Sequence, residues 1–490
     1  MKIAALATLL STSASAFCGF YVAGGGAELF NNATQVVLMR DGTRTVLSMQ
    51  NNYQGPPEDF AMVIPVPVIL QKENVKTLPR EVFTRIDTLD APRLVEYWEQ
   101  DPCAAREREE DERKYRRKGS VVFESAAAPV EEKVKVEARF EVGEYEVVIL
   151  SAKDALALEQ WLAEYKYRIP TGAEPLFRPY VQQGMKFFVA RVNAKKVAFK
   201  DGMAQLSPLR FHYDSEKFEL PVRLGLINAK DKQDLIVHIL AKNQRYEVAN
   251  YPNATVPTNI DLVPSAKSEF GPFYVSLFDR ALKANPNAVI TEYAWQATSC
   301  DPCPTAPLTE EDMLTLGADV LPRSNVKEGF DPSQNMVLTR LHARYDKTSL
   351  GEDLVFKVAP PIEGGREHDR EGEGLRQTAQ PASFNNFQGR YAIRYPWRGP
   401  VKCERPLWGR WGANPEGAGA GTTAVRDAAF QKRDPALLAA LAEADVPAFA
   451  VKGRKRLSGV ALRTDETSKP EAPKQQEPEA QPRRWWEFWK

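Results

Sequence analysis

The strongest period-two signal in the chain is "QVVLMRDGTRTVLSMQ", residues 35–50, where two β-rich runs flank Asp41-Gly42. An Asp-Gly pair accepts the positive φ angles of a type I′ turn, so the stretch predicts a β-hairpin. "DFAMVIPVPV" predicts another strand, and since Pro65 and Pro67 cannot donate to a ladder, its end is expected at a sheet edge. The spacing then changes: Val82, Phe83, Ile86 and Leu89 share one helical face, after which "RLVEYW" returns to strand. "VKVEARFEV" and "EYEVVIL" predict two more strands, followed by a helix in "AKDALALEQWLAEY" capped by Ser151 and a shorter one in "EPLFRPYVQQG" ending at Gly184. "MKFFVARV", "LSPLRFHY", "FELPVRLGLI" and "DLIVHILAK" read as strands, "FYVSLFDRALKA" as a helix and "AVITEYAW" as a strand. Beyond these come the helix "TEEDMLTLG", the strands "NMVLTRLHARY", "EDLVFKV" and "GRYAIRY", and a late helix "DPALLAALAEA" with Asp434 as N-cap and Pro435 at its first position.

Strands outnumber helices and come in consecutive runs, which favours an α+β class of mainly antiparallel sheets with a few packing helices over a doubly wound parallel fold. Composition divides the chain further. Residues 17–103 form an N-terminal β-hairpin and helix unit, 104–132 a connector of alternating charges ("AAREREEDERKYRRKGS"), 133–345 a central α+β unit, and 346–463 a C-terminal β and helix region. Residues 464–482 have the composition of a disordered linker, and 483–490 are an aromatic-basic tail. "GGREHDREGEG" reads as an exposed loop and "GAGAGTT" as a hinge.

Charge and export narrow the function classes. Lys plus Arg equals Asp plus Glu at 65 each, so no net field favours nucleic acid. The start, "MKIAALATLLSTSASAFCGF", has a charged Lys2, a short apolar run and Ala14-Ser15-Ala16, which predicts a signal peptide over 1–16 cleaved after Ala16. Phe17 before Cys18 is too large for a lipobox. No later segment approaches eighteen apolar residues, so no transmembrane helix is expected in the mature chain.

Export makes disulfides the expected fate of Cys18, Cys103, Cys300, Cys303 and Cys403, the odd count leaving at least one unpaired or paired between chains. Cys300 and Cys303 flank Asp301-Pro302 and admit three readings: a structural disulfide, a redox dithiol, and half of a metal clip. The first is favoured, because Pro304 and Pro307 delay the following helix and Asp301 sets a negative charge beside the thiols. Zinc needs two more ligands than this spacing supplies, and no metal or cofactor motif is present. "EYWEQDPC" and "EYAWQATSCDPC" echo each other, either as two strands ending in similar turns or as strand ends joined by a bridge from Cys103 to Cys300 or Cys303. His212, His238 and His342 fall in predicted strands, where a hydrogen-bonded imidazole is a commoner fate than a catalytic base, and His368 lies in the charged loop. Ser324 and Lys327 have Ser-x-x-Lys spacing without its companion motifs. In the tail, Trp485, Trp486, Phe488 and Trp489 with Arg483 and Arg484 admit three readings: the headgroup region of a membrane, a pocket on an envelope protein, and an exposed tail with no target.

"VVLMRDGTRTVLSMQNNYQGPPEDFAMVIPVPV", "KENVKTLP", "APRLVEYWEQDPC", "LTRLHARY" and "NNFQGRYAIRYPW" together resemble an exported bacterial family catalogued as a domain of unknown function (number 2330), over most of the chain from Cys18 to about Trp411. The resemblance implies export and an extracytoplasmic β-rich domain, and it brings no catalytic or binding residue with it. Relatives in that family often end in a hydrophobic membrane segment, where this chain carries its short aromatic tail. The resulting expectation is a non-enzymatic exported envelope protein acting as a binding or structural module. The alternative is an extracytoplasmic thiol-disulfide oxidoreductase with Cys300 as nucleophile and Cys303 as resolving thiol.

Overall fold

The computed structural model describes residues 20–23, 30–31, 34–50, 53–54, 60–103, 134–165, 173–200, 203–228, 232–262, 264–322, 335–346, 349–365, 377–406, 408–415, 421–425 and 462–463. The signal peptide, Cys18, the 104–132 connector, His368, Ser324, Lys327, the Asp434 helix, the linker and the aromatic tail all lie outside them.

The hairpin forms as β1 (Thr34–Asp41) and β2 (Arg44–Gln50), with Asp41 opposite Arg44. Its two turn residues are therefore Gly42 and Thr43, one position later than the spacing suggested. Only Gly42 takes a positive φ, +55°, which is the requirement of a type II′ turn and not of type I′. β3 (Phe60–Val66) pairs with the strand Phe20–Ala23 only as far as Val63, so Pro65 needs to donate to no neighbour on that side. Helix α1 (Glu81–Asp90) buries Val82, Phe83, Ile86 and Leu89, the face read from the sequence, and β4 (Arg93–Glu99) follows it.

β5 (Val134–Val142) and β6 (Tyr145–Ala152) pair as expected, but β6 runs through Ser151, whose hydroxyl donates to Glu137. The helix after it, α2 (Ala155–Glu164), is capped by Asp154, whose carboxylate accepts from the Ala157 amide at 2.6 Å. Next come α3 (Glu174–Gln182), β7 (Lys186–Val192) and β8 (Leu209–Asp214). "FELPVRLGLI" is not one strand: after Glu219–Leu220 the chain turns into a 3-10 helix, Arg223–Asn228. Pro221 has no amide to pair, and the Asp353 carboxylate accepts from the Val222 and Arg223 amides at 2.8 and 3.1 Å, so a side chain takes the bonds a ladder would have made. β9 (Gln233–Lys242), α4 (Phe270–Ala284), β10 (Val289–Gln296), α5 (Glu310–Leu316), β11 (Met336–Tyr345), β12 (Leu354–Ala359) and β13 (Arg390–Tyr395) complete the main elements. Helix α5 ends at Gly317, where φ is +131° and a Cβ would stand 2.5 Å from Val46 Cγ1, so no larger residue fits.

Three sheets carry the architecture. The largest has twelve strands, with β10, β11, β9, β1, β2 and β8 adjacent in that order. A five-stranded antiparallel sheet holds β3, β7, β6 and β5, and a second five-stranded sheet is built on β13 and β4. The fold is mostly β-sheet, as expected, but its main sheet is mixed, since β9 runs parallel to β1 with His238 opposite Val37; in the separate sheet built on β13 and β4, those two strands also run parallel. Runs of consecutive strands predict local hairpins and are silent on pairs brought together from distant parts of the chain.

Alternation along β9 sets the layers. Leu235, Val237 and Ile239 face the five-stranded sheet, meeting Ile64, Val147 and Phe188 in one apolar cluster. Ile236 and Leu240 face the other way, under α4 and α1 respectively. α2 and α3 cover the outer side of the five-stranded sheet through Leu158, Leu162 and Phe177. Each such fully enclosed aliphatic or aromatic side chain contributes about 1.5–3 kcal/mol. Among the described residues, two disulfides fasten the result. Cys103 pairs with Cys403 and Cys300 with Cys303, with Cα atoms 5.5 and 4.9 Å apart. Cys103 therefore does not reach Cys300 or Cys303. The parallel pairing of β4 with β13 delivers its partner instead, setting Trp98 opposite Tyr395 shortly before the two cysteines.

Candidate functional site

His238 lies inside a run of apolar residues, and its position on β9 puts it on the helix-covered face of the main sheet. Across the β9–β11 ladder His238 stands opposite Arg340, Ile236 opposite His342, and Asp234 opposite Arg344. β10 lies on the other side of β11, and its register slips between Thr291 and Tyr293, so that Glu292 is the extra residue beside Arg340. A bulge of this kind re-aims a side chain that regular pairing would leave elsewhere. Helix α1 adds Asp87 and Asp90, three residues apart and so on one face, and α4 adds Tyr274.

These side chains form one hydrogen-bonded charge network. Arg340 donates from Nε to Glu292 Oε2 at 2.5 Å, and from Nη1 to Asp87 Oδ1 at 2.6 Å and Asp90 Oδ1 at 2.8 Å. His238 Nδ1 is 2.6 Å from the other Asp90 oxygen. His342 sits between two carboxylates, Nδ1 2.7 Å from Glu292 Oε1 and Nε2 3.0 Å from Asp234 Oδ1, with the Phe278 ring stacked on it at 3.9 Å. The Tyr274 hydroxyl donates to Glu292 as well. At the rim, Arg344 Nη1 reaches Asp234 and Asp279 at 3.5 and 3.4 Å. The side chains of Asp90, His238, Glu292, Arg340 and His342 are all 0% exposed.

Burial and charge pull these groups in opposite directions, and charge prevails. Burial alone disfavours the imidazolium of His342, yet Glu292 and Asp234 raise it to about 9, so the ring carries its charge at neutral pH and donates from both nitrogens. Burial likewise works against the Glu292 carboxylate, but His342 and Arg340 hold it down at about 2. Arg340 is pushed well above its ordinary value, since Asp87, Asp90 and Glu292 outweigh its own burial. A pH dependence follows. The contribution of His342 is complete below the ordinary histidine value of 6.5 and is lost as pH rises through about 9, on the order of 3 kcal/mol. Urea midpoints between pH 6 and 9.5 should fall for the wild type, and the fall should be shallower in His342→Gln. The reciprocal contribution of Glu292 is present above 4.5 and is lost as pH drops through about 2.

Asp87, Asp90 and His238 bring ligand atoms within 4.8 Å of one another, close enough to share a cation. Arg340 Nη1 already bonds both carboxylates, so the positive charge that a metal would supply comes from the guanidinium. The network thus holds charge in an enclosed space and joins α1, β9, β10, β11 and α4, with its charged groups turned toward one another and away from solvent.

The residues singled out from the sequence are dispersed. Cys300 is half-buried and packs against the cluster beneath α1 and α5, whereas Cys303 is exposed. Arg93, fully buried over the Tyr293 ring, donates to the Pro302 carbonyl at 2.9 Å and so joins the Cys300–Cys303 loop to the end of α1. Cys103 and Cys403 lie at the far end of the β4–β13 pair. His212 is half-buried on β8, 3.2 Å from Asn74 Nδ2, and burial with Arg44 and Arg210 lowers it to about 4. His238 and His342 are core histidines, as their strand positions suggested, but they belong to an ion network that sequence reading missed. A signal for it exists. Arg340 and His342 stand two apart in "MVLTRLHARY", and Glu292 interrupts "AVITEYAW", so charges occupy inward positions of otherwise apolar strands.

A family model described as an uncharacterized protein conserved in bacteria (DUF2330) matches residues 12–357. No curated protein and no solved structure matches the chain. The matched stretch contains every residue of the network and the Cys300–Cys303 pair, and stops short of Cys403 and the aromatic tail.

Proposed function

The chain belongs to this family of uncharacterized bacterial proteins, and from that premise we propose that it is an exported component of the cell envelope, a disulfide-fastened β scaffold that works by binding or by holding structure. The observation that carries the reading is the Cys103–Cys403 bridge, which joins residues 300 positions apart. Sulfurs so paired persist where the surroundings are oxidising and are kept reduced in the cytosol. The N-terminal apolar run followed by Ala14-Ser15-Ala16 supports the same compartment. The enclosed ion network fits a scaffold, because its charges fix which strands and helices meet.

In this reading contact with a partner is made by the aromatic-basic tail, where indoles and arginines supply the side chains that dominate binding hot spots. The test has two arms. Fractionation with N-terminal sequencing should find the protein outside the cytosol, beginning at Phe17; recovery from the cytosol with residues 1–16 attached and all thiols free overturns the proposal. Flotation with anionic liposomes and affinity capture from envelope extracts should each be compared with a truncation after Pro482. Loss of one interaction on truncation supports the tail as the contact, and equal behaviour of both proteins removes it.

A further inference from the structure

We propose that Cys300–Cys303 is an exchangeable disulfide, attacked at Cys303 by thiolates, and that its substrates are proteins or small molecules carrying thiols. The inference adds a chemical activity to the export reading and does not depend on any binding partner of the tail.

Four observations carry it. Cys303 is exposed while Cys300 packs against the apolar cluster beneath α1 and α5, so an incoming thiolate meets the Cys303 sulfur first. This reverses the order of nucleophile and resolving thiol suggested by chain position. The loop is also held by bonds that do not involve sulfur. Arg93 donates to Pro302 O, Gln388 Nε2 to Asp301 O at 2.6 Å, Trp295 Nε1 to Ser299 Oγ at 3.2 Å, and the Leu308 amide to Ala297 O at 3.1 Å. Arg93 in turn is anchored on the Leu89 and Ala91 carbonyls, so opening the bridge leaves the loop in place. The ring closed by this bridge spans 3 positions against 300 for the other, and a short closure constrains the unfolded chain least. Finally, each sulfur has a carbonyl at hand to accept from a thiol, Thr305 O 3.9 Å from Cys300 and Cys300 O 3.1 Å from Cys303.

The exchange balances as follows. The substrate thiolate forms a bond to Cys303 Sγ, the Cys300–Cys303 bond breaks, and its electron pair passes to Cys300 Sγ, which then takes a proton from solvent. A second thiol, on the same substrate or on a second monothiol molecule, attacks the substrate sulfur in the mixed disulfide and releases Cys303 as a thiolate. The two substrate thiols have together lost two electrons and the Cys300/Cys303 pair has gained them.

Purified full-length protein would be titrated with reduced glutathione and with a reduced dithiol peptide, and the bridges mapped by mass spectrometry. Cys300–Cys303 should open at roughly tenfold less reductant than Cys103–Cys403, with the circular dichroism spectrum unchanged. In Cys300→Ala, Cys303 should capture oxidised glutathione roughly tenfold faster than Cys300 does in Cys303→Ala. A response to the dithiol peptide alone assigns protein dithiols as the substrates, and a response to both assigns thiols in general. Simultaneous opening of the two bridges, loss of structure when the short one opens, or faster capture at Cys300 overturns the proposal. Because the assay uses purified protein, these results stand apart from where the protein resides in the cell.

Discussion

Arg340→Met is expected to cost about 3–5 kcal/mol of stability, read as a drop in the urea midpoint with little change in slope. The methionine fills much of the volume, so the loss is electrostatic in origin. Without the guanidinium, Asp87, Asp90 and Glu292 face one another in a space where the side chains of Asp90 and Glu292 have no access to water. Buried carboxylates that have lost the guanidinium take up protons at higher pH than they do beside it, and each proton taken up relieves their mutual repulsion in the fold. The deficit of the variant should therefore narrow as pH falls toward 4 and widen above 6. A deficit that stays constant across that range would show that packing, and not charge, is what Arg340 supplies. Adding Asp87→Asn and Asp90→Asn to Arg340→Met should recover part of the loss, since two of the three carboxylates that face the missing guanidinium are then neutral.

The double variant Cys103→Ser/Cys403→Ser is expected to lose on the order of 5 kcal/mol, because the bridge closes a loop of 300 residues in the unfolded chain. Removing it also lets the denatured ensemble expand, so the slope of the urea transition should rise together with the fall in midpoint. That pairing distinguishes the effect from the Arg340 substitution. The corresponding double variant at Cys300 and Cys303 closes only 3 positions and should lose no more than about 2 kcal/mol. A slope unchanged by removal of the long bridge would place its effect in the native state, at the ends of β4 and β13, and not in the unfolded chain.

Local readings of the sequence held where the physics is local. Phe83 and Ile86 point inward because a helix repeats every 3.6 residues, and Val82 and Leu89 complete that face. Where local signals competed, the wrong one could be chosen. Ser151 is a good cap residue, but its strand continued to pair, and Asp154, three positions later, took the role. "FELPVRLGLI" has strand composition, yet Asp353, more than a hundred residues away, supplied acceptors that turned it into a 3-10 helix. The hairpin turn was found but set one residue early, because the Asp41–Arg44 pairing that defines it is a property of both strands.

Taken alone, the sequence determined the strands and helices with strong periodicity, the predominance of β structure, and the presence of cysteines able to bridge. Those features depend on residues within a few positions of one another, where steric preference and side-chain period act directly. Tertiary structure alone decided the parallel pairing of β1 with β9, the partner of Cys103, and the meeting of Asp90, His238, Glu292, Arg340 and His342 at one point. Each of those joins groups tens to hundreds of residues apart. Whether such groups meet is settled by the burial of whole sheet faces, and a charge in an apolar strand finds its counter-ion only after those faces have closed over it.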